Sequence, residues 1–269
     1  MTTLATAAAR PRVLGRMGSL TVRLAQNAGE VEAAQRLRFS VFGHGAPNLE
    51  PPALDPSGLD GLDADSFDDL CDHLLVLDEA SGAAVATYRL LPADRLVPGE
   101  RFYSQGEFAL APLLRRHAGA RFLELGRSCV APTHRDRRTL ELLWHGTWAY
   151  AVERRIDVMF GCASLPGTDA GLHAPALAFL RAHARAEPDW RVRAVPGRGV
   201  PMDGEADPRA LRALPPLLKG YLRLGACIGE EAVVDHAFGT TDVLVLLRRE
   251  RISRRYLAHY GADASRFAV

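Results

Sequence analysis

Residues 124–139 read ELGRSCVAPTHRDRRT, and this stretch decides how the rest of the chain is interpreted. An apolar segment here carries a carboxylate, Glu124, and a guanidinium, Arg127, three residues apart. Strict alternation along a strand would place Glu124, Gly126 and Ser128 on one face and Arg127 on the other. A β-bulge at Gly126 would bring both charged side chains to one face and free a backbone N–H, which suits an oxyanion. The competing interpretation is a structural ion pair beside a closely packed glycine.

An arginine-rich loop follows the strand and leads into a predicted helix that begins at about residue 139. The N-terminus of a helix attracts phosphate through its free N–H groups and the positive end of its dipole. Arginines add paired hydrogen bonds to phosphate oxygens. The loop therefore predicts either an anion site at Arg135, Arg137 and Arg138 or a solvated basic turn.

The composition is that of an ordinary globular protein, with 269 residues, 48% hydrophobic, 24% charged and a net charge of +1. This length can bury one large core, and so small a net charge does not favour a nucleic-acid partner. The four cysteines show neither a CxxC motif nor a histidine at zinc-ligand spacing, which predicts a reducing compartment, no disulfide framework and no structural metal. No apolar run reaches the length of about 18 residues that is typical of a membrane span.

Strand and helix signals predict a mixed α/β chain whose central sheet is covered by helices on both faces. The predicted strands are 21–26, 73–78, 83–91, 121–130, 157–164, 190–195 and 240–247, and the predicted helices are 29–42, 138–155, 174–186 and a proline-interrupted 211–225. Residues 1–18 are basic and lack the apolar core of a signal peptide, so they are expected to form a flexible leader. Residues 19–269 are expected to form a single domain with a C-terminal extension. Residues 43–66, rich in Gly, Pro and Asp, are expected to form a long loop.

Charged groups and a thiol elsewhere in the chain offer further candidates. Between Arg38 and Arg89 there are many acids and no Lys or Arg. Asp69 and Asp72, three apart before a strand, could bind an ammonium group or form a solvated acidic turn. Arg89, near the end of its strand, is either a ligand or a surface residue. Cys129 lies in an apolar strand without a neighbouring base, which predicts an inert buried thiol and not a nucleophile.

Several long blocks carry a resemblance to a known family, among them FDDLCDHLLVLD, TYRLLP, FLELGRSCV, RIDVMFGCAS and ALPPLLKGYLRLGA. With these blocks in this order, the chain resembles the bacterial ornithine N-acyltransferases that make lyso-ornithine lipid. Those enzymes are similar in fold to the GCN5-related N-acetyltransferases (GNAT) and, more distantly, to the acyl-homoserine-lactone synthases. The resemblance implies an α/β (α+β) GNAT-like acyl-CoA N-acyltransferase fold, with a mixed central sheet, helices on both faces and a bulged central strand.

The resemblance also implies a reaction and its partners. A 3-hydroxyacyl chain would pass from the phosphopantetheine thioester of acyl carrier protein to the α-amine of ornithine. The thioester would be a co-substrate, with no bound cofactor and no metal. A cytoplasmic location is expected, with peripheral contact at the inner membrane because the product partitions there.

The same resemblance assigns roles to the candidate residues. Glu124 would be the base, with a backbone N–H near Gly126 to Ser128 as the oxyanion donor. The guanidinium of Arg127 or of Arg89 would bind the ornithine carboxylate, and Asp69 and Asp72 would bind its δ-ammonium. The substrate-binding set is Arg38, Asp69, Asp72 and Arg89. The set that holds the acyl donor and its carrier protein is Arg135, Arg137 and Arg138.

Alternatives from other classes remain open at this point. The same transfer could use lysine, glutamine or glycine, or the protein could be an acetyl-CoA-dependent acetyltransferase, which would need only a short acyl pocket. A quorum-signal synthase would use S-adenosylmethionine, and the long C-terminal third argues against it. A non-enzymatic module could bind anionic lipid through the basic N-terminus and the run RRERISRR at 248–255, and would leave a thioester intact.

Overall fold

A mixed β-sheet runs through the computed structural model, which describes residues 12–43, 61–260 and 267. In this part of the chain the sheet has nine strands in the order β1-β2-β3-β4-β5-β6-β9-β8-β7. The strands are β1 (Val13–Met17), β2 (Leu20–Leu24), β3 (Asp72–Asp78), β4 (Ala83–Pro92), β5 (Phe122–Val130), β6 (Val158–Pro166), β7 (Gly199–Pro201), β8 (Cys227–Asp235) and β9 (Thr240–Arg248). The helices are α1 (Ala28–Phe42), α2 (Ala111–Arg116), α3 (Arg137–Glu153), α4 (Ala174–Ala184), α5 (Ala210–Ala213), α6 (Pro216–Leu224) and α7 (Arg254–Tyr260).

Among these strands, β5 and β6 pair in parallel, and the other neighbouring pairs are antiparallel. A parallel pair needs a long crossover, and α3 supplies it. Helix α3 then lies across β1 to β4, while α1 packs against β3, β4 and β5. Among the described helices, none combines the length and the apolar character needed to cross a bilayer.

Side chains alternate between two hydrophobic layers, one on each face of the sheet. Leu123 of β5 belongs to the layer under α3, α4 and α6, together with Leu142 of α3. Phe122 and Phe160 belong to the opposite layer, where the Phe160 ring meets the Phe102 ring edge-to-face at 4.9 Å between centroids. This alternation confirms the prediction of a central sheet buried on both faces.

Two sequence predictions about elements are wrong. Residues 13–17 of the expected leader form β1, whose backbone pairs with β2; residues 1–11 lie outside the described part. The expected strand 190–195 is a loop, although Val192 and Ala194 are buried as its alternation predicts. Its backbone groups bond elsewhere: the Val192 carbonyl accepts from the Glu230 N–H at 2.8 Å, and only Ala194 forms an isolated bridge, to Phe108.

Strand β8 was missed because two adjacent glutamates interrupt its apolar pattern. The Glu230 side chain accepts hydrogen bonds from Arg185 at 2.6 and 2.9 Å, and the Glu231 side chain accepts from the Ala194 N–H at 3.0 Å. These tertiary partners let a polar pair occupy a strand, and no local pattern could indicate them. The expected long loop 43–66 is described only at residue 43 and from residue 61 onward.

Candidate active site

Strand β5 carries a bulge, which was one of two interpretations of the residues and which the resemblance implied. Arg89 of β4 pairs with Gly126, while Thr87 pairs with Cys129, so β5 has one more residue than β4 across this interval. Arg127 takes a φ of 52°, in the left-handed region that a non-glycine residue seldom occupies. Such a backbone costs about 1–3 kcal/mol and is typical of functional sites. The strained residue is therefore Arg127 itself, not Gly126.

The bulge lies where β5 and β6 separate. Their pairing ends at Glu124 and Phe160. At the next position Gly161 allows a close approach, since a Cβ there would overlap the carbonyl oxygen of Leu125. Beyond it the two strands line a cleft of about 700 Å³. A cleft between strands that no longer pair gives a ligand access to backbone donors, which is the condition for an oxyanion site.

Glu124 lines this cleft with a buried and fixed carboxyl group. Its Oε1 accepts from the Ser104 N–H at 2.7 Å and from the Ser104 hydroxyl, and its Oε2 accepts from the Tyr103 N–H at 2.8 Å. Burial raises the pKa of the Glu124 carboxyl, and the donors at Ser104 and Tyr103 oppose that rise. A carboxylate can accept about four hydrogen bonds, so one more position is available for water or substrate.

Arginines from α1, β4 and β5 meet aspartates of the segment 63–68 in a buried network. Its members are Arg38, Arg89, Arg127, Asp63, Asp65 and Asp68. Arg38 is fully buried; its Nη2 donates to Asp68 Oδ1 at 2.8 Å, and its Nε donates to Asp63 Oδ2 at 3.1 Å. Three positive and three negative charges therefore balance one another under the cleft.

The part of this network nearest the cleft holds Arg89 and Arg127, which both line it. Nη1 of Arg89 donates to Asp65 Oδ1 at 2.6 Å, and Nη2 of Arg127 donates to Asp65 Oδ2 at 3.1 Å. Burial works to raise the pKa of Asp65, but the charges and hydrogen bonds of the two arginines outweigh it and lower that pKa. The Arg127 guanidinium also lies 4.2 Å from the centroid of the Phe238 ring, and its buried Nε has no hydrogen-bond partner among the described residues.

A group of acids that the sequence analysis missed lies deeper in the site. Oxygen atoms of Glu107 and Asp242 and the sulfur of Cys162 all lie within 4.8 Å of one another, a spacing at which they could also hold a metal ion. Burial, followed by the charges of Asp242 and Asp235, raises the pKa of Glu107 to about 7. Burial raises the pKa of Asp242 to about 6. The available signal was Asp242, an acid within the otherwise apolar β9 sequence TTDVLVLL.

Comparison with known proteins decides the family. Residues 37–145 match the model of an acetyltransferase (GNAT) domain. The L-ornithine N(alpha)-acyltransferase of Rhizobium meliloti (strain 1021) is 50% identical over 274 residues, covering 98% of this chain and 92% of that protein. The chain belongs to the L-ornithine N(alpha)-acyltransferase family. The protein is thus an acyltransferase with a GNAT fold, as the resemblance implied.

A second curated relative agrees with this placement. The L-ornithine N(alpha)-acyltransferase of Brucella abortus (strain 2308) is 49% identical over 267 residues, covering 95% of this chain and 93% of that protein. Among solved structures, the CoA-dependent acyl-homoserine lactone synthase BjaI has a TM-score of 0.48 and 16% identity, covering 87% of this chain and 83% of that chain. A similarity this low gives no information about the substrate of this chain.

Two acids proposed as ligands do not reach the cleft of this family member. Asp69 is exposed, and Asp72 accepts from the Tyr150 hydroxyl at 2.7 Å and forms ion pairs with Arg95 and Arg154. Neither is among the described residues that line the cleft. The sequence DSFDDLCD contains two Asp-x-x-Asp pairs, and the network uses the earlier one, at 65 and 68. Asp72 is already the first residue of β3, and its ion-pair partners are Arg95 and Arg154, not the arginines of the network.

Three further predicted residues, those of the basic loop, lie on the surface where β5 leads into α3. Arg135 Nε donates to the Val130 carbonyl at 3.2 Å, Arg137 pairs with Glu141 within α3, and Arg138 lies near β1. The Asp136 side chain already caps the helix by accepting from the Thr139 N–H at 2.8 Å. A carboxylate there weakens the case for a phosphate directly on the helix N-terminus, which leaves the arginine side chains as the candidate anion contacts.

Arg38 also differs from its proposed role. It is not among the described residues that line the cleft, and its guanidinium is engaged by Asp63 and Asp68. The structure thus gives Arg38 a supporting position, in which it fixes the segment that carries Asp65 against the cleft arginines.

Proposed function

We propose that the protein transfers a 3-hydroxyacyl chain from the phosphopantetheine thioester of acyl carrier protein to the α-amine of ornithine, giving lyso-ornithine lipid. The observation that carries the choice of ornithine is the 50% identity, over 98% of the chain, to a relative named for that acceptor. The cleft supports the chemistry, because it offers a buried carboxyl group, guanidinium groups and a bulged strand in one space.

In the proposed reaction the ornithine α-ammonium first loses a proton, because only the neutral amine has a lone pair to attack. The amine nitrogen then attacks the thioester carbonyl, a C–N bond forms and the C–S bond breaks. The phosphopantetheine leaves as a thiolate, and the nitrogen loses a second proton as the amide forms. One of the two protons neutralises the thiolate, and the other passes to solvent. Glu124 is the proposed base, acting through a water at its remaining acceptor position.

The thioester oxygen gains negative charge as the amine attacks. A backbone N–H in the bulge between Gly126 and Ser128 is the proposed donor to that oxygen, since a bulge interrupts the ladder of paired backbone groups. The strained φ of Arg127 supports this role, because strained backbone residues of this kind are concentrated at functional sites.

The ornithine carboxylate is proposed to bind Arg127, with Arg89 beside it. The unpartnered Nε of Arg127 is a donor held within the cleft wall, and Phe238 and Tyr103 fix the plane of its guanidinium. A planar fork held in this way suits two parallel hydrogen bonds to a carboxylate.

The Arg127→Lys variant is expected to raise the KM for ornithine by about tenfold or more, because a lysine cannot reproduce the planar fork. Steady-state kinetics with varied ornithine would measure this change. Arg209→Lys, at an exposed position, is the matched control and should behave as wild type. Full retention of the wild-type KM by Arg127→Lys would contradict the carboxylate-binding role.

The donor is proposed to approach from the β5–α3 loop. Arg135, Arg137 and Arg138 are exposed there and could contact the phosphate of phosphopantetheine or acidic groups of the carrier protein. The thioester itself is the co-substrate, so the proposal includes no resident cofactor. Because the product is a lipid, we also propose a cytoplasmic protein in peripheral contact with the inner membrane, with Arg251 and Arg254 among its exposed basic residues.

The acyl group is proposed to move directly, without an acyl-enzyme. Cys129 is buried, and burial raises the pKa of its thiol to about 12, which leaves very little thiolate near neutral pH. The Cys129→Ala variant is therefore expected to keep wild-type turnover, with a stability loss of about 1 kcal/mol from the small cavity. An inactive variant with an intact fold by circular dichroism would instead favour a covalent route.

The proposed function is tested by thiol release from 3-hydroxyacyl carrier protein in the presence of single amines. Ornithine, lysine, glutamine, glycine and S-adenosylmethionine would be supplied separately, with mass spectrometry of the product. Release with ornithine, and a product of the lyso-ornithine lipid mass, is the expected result. Release with a different amine would replace the acceptor. No release with any amine from folded protein would refute the proposal.

A further inference from the structure

We infer that the hydroxyl groups of Tyr88, Ser128 and Tyr221 form a subsite that binds the 3-hydroxyl group of the acyl chain and so selects a 3-hydroxyacyl donor. The inference rests on the proposed function for the identity of the donor. It adds specificity-determining residues on the face of the sheet opposite Glu124.

The cleft passes through the sheet where β5 and β6 separate, and its two faces differ in polarity. Glu124 and Cys162 line it on the face of the sheet that carries Phe160. Leu125 and Ala163 line it on the other face and belong to the apolar layer under α3, α4 and α6. Because the acceptor amine is proposed to lie beside Glu124, we expect the acyl chain to extend from the thioester carbonyl toward the apolar face.

A group of hydroxyls lies on this apolar face. Tyr88 of β4 lines the cleft, and its hydroxyl forms a hydrogen bond with the hydroxyl of Tyr221 from α6. The side chain of Ser128, which also lines the cleft, is a second hydrogen-bond partner of Tyr88. The exposed fraction is 3% for Tyr88 and 6% for Tyr221. A chain of hydroxyls therefore runs from the bulged part of β5 to α6 through an apolar layer.

Packing accounts for the two aromatic rings but not for their hydroxyls. The Tyr221 ring meets the Trp144 ring edge-to-face at 5.1 Å between centroids, and a phenylalanine ring could make the same contact. Burying a hydroxyl in apolar surroundings costs free energy that phenylalanine would avoid. The hydroxyls of Tyr88 and Tyr221 are thus an addition to the packing, placed where the cleft meets the apolar layer.

The chain of hydroxyls has the capacity to bind one more hydroxyl group. Each hydroxyl has one donor hydrogen and two acceptor lone pairs, so hydrogen bonds among Tyr88, Ser128 and Tyr221 leave a donor hydrogen and several lone pairs over. Burial raises the pKa of Tyr88 to about 12, so its hydroxyl keeps its proton near neutral pH and can donate as well as accept. A ligand hydroxyl, which also donates and accepts, can therefore join the chain.

The position of the subsite matches the third carbon of the acyl chain. The oxyanion donor is proposed in the bulge between Gly126 and Ser128, so the thioester carbonyl would lie beside Ser128. The carbon that carries the 3-hydroxyl is only two bonds beyond the carbonyl carbon. An unsubstituted chain would place a methylene group against the hydroxyls, and a site built to bind a substrate hydroxyl rejects an analogue that lacks it.

The test compares two donors, 3-hydroxymyristoyl and myristoyl acyl carrier protein, which differ only in the hydroxyl, with ornithine as acceptor. Wild-type protein, Tyr88→Phe and Tyr221→Phe would be assayed with both donors, and thiol release would give kcat/KM for each. We expect wild-type protein to prefer the 3-hydroxyacyl donor by about 10–100-fold. Each variant should lose most of this preference through a lower kcat/KM for the 3-hydroxyacyl donor, while kcat/KM for the unsubstituted donor stays nearly constant.

Tyr150→Phe is the matched control. It removes a buried hydroxyl from the same apolar layer, one that donates to Asp72 at 2.7 Å, and Tyr150 is not among the described residues that line the cleft. This control should keep the wild-type preference. The double variant Tyr88→Phe/Tyr221→Phe removes both hydroxyls at once, so neither phenol is left without its partner, and it should fold even where a single variant is unstable.

The ratio of the two kcat/KM values decides the inference. Equal use of the two donors by wild-type protein would overturn it. So would an equal loss for both donors in the variants, because a hydroxyl that only supports the fold affects every donor alike, and so would loss of the preference in Tyr150→Phe. If wild-type protein releases thiol from neither donor, the proposed function fails and this inference fails with it; if it acylates ornithine equally well from both donors, only this inference fails.

Discussion

The Asp68→Asn variant is expected to lose about 3–5 kcal/mol of unfolding free energy, because removing one partner of a buried ion pair leaves an uncompensated charge. The Asp68 carboxylate accepts from Arg38 at 2.8 Å and lies 3.4 Å from Arg89. The side chains of all three residues are at most 6% exposed, so solvent cannot replace the lost charge. Chemical denaturation at neutral pH would measure the loss, which is a large part of the roughly 5–15 kcal/mol that stabilises a typical domain.

The neighbouring Asp69→Asn variant is the matched control. Asp69 is exposed and belongs to the same short turn, so its substitution should change the unfolding free energy by no more than about 0.5 kcal/mol. Measured together, the two variants show which of the two Asp-x-x-Asp pairs of DSFDDLCD stabilises the fold. Similar losses in both variants would show that the turn as a whole, and not the pairing of Asp68 with the arginines, stabilises this region.

The sequence was most informative where a local pattern determines local geometry. The strand at 122–130 and the helix that follows were predicted, because alternation and helix periodicity are properties of neighbouring residues. The bulge beside Gly126 was one of two interpretations of the residues, and the resemblance implied it. The burial of Cys129 was predicted from its apolar neighbours in the same way. The family resemblance then added the GNAT fold, which the residues alone indicated only as a mixed α/β arrangement.

The sequence was least informative where the site is assembled from distant segments. Glu107, Cys162 and Asp242 come from a loop and two strands; the pairing of β6 with β9 and the path of the loop before α2 bring them together. The choice of Asp65 over Asp69 depends on how the loop before β3 folds back onto Arg89, and a spacing of three residues fits both. Similarly, the alternation of residues 190–195 predicted a strand, but the sequence does not show which backbone groups pair with this segment.

The Glu124→Gln variant is expected to lower kcat by about 10²–10⁴-fold, since a positioned general base contributes about that much. Glutamine has nearly the same shape, so it should preserve the position of the segment that carries Tyr103 and Ser104. It cannot accept a proton at neutral pH, however, and its NH2 group would face one of the two N–H groups that now point at the carboxylate, while its carbonyl oxygen accepts from the other. Ser104→Ala is the matched control, because it removes the hydroxyl donor to Glu124 and leaves the base in place.

The pH dependence of the Glu124→Gln defect separates a base from a structural support. The wild-type rate should fall as the pH falls through the pKa of Glu124, which burial raises, because the protonated carboxyl cannot take a proton from the amine. At high pH the acceptor amine is neutral without help, so the rate difference between wild type and variant should narrow as the pH approaches the amine's own pKa. A support role predicts a different result: the misplaced segment would impair catalysis by the same factor at every pH. A constant difference between the two proteins across the pH range would therefore remove Glu124 as the base, even if the loss of activity at neutral pH were as large as expected.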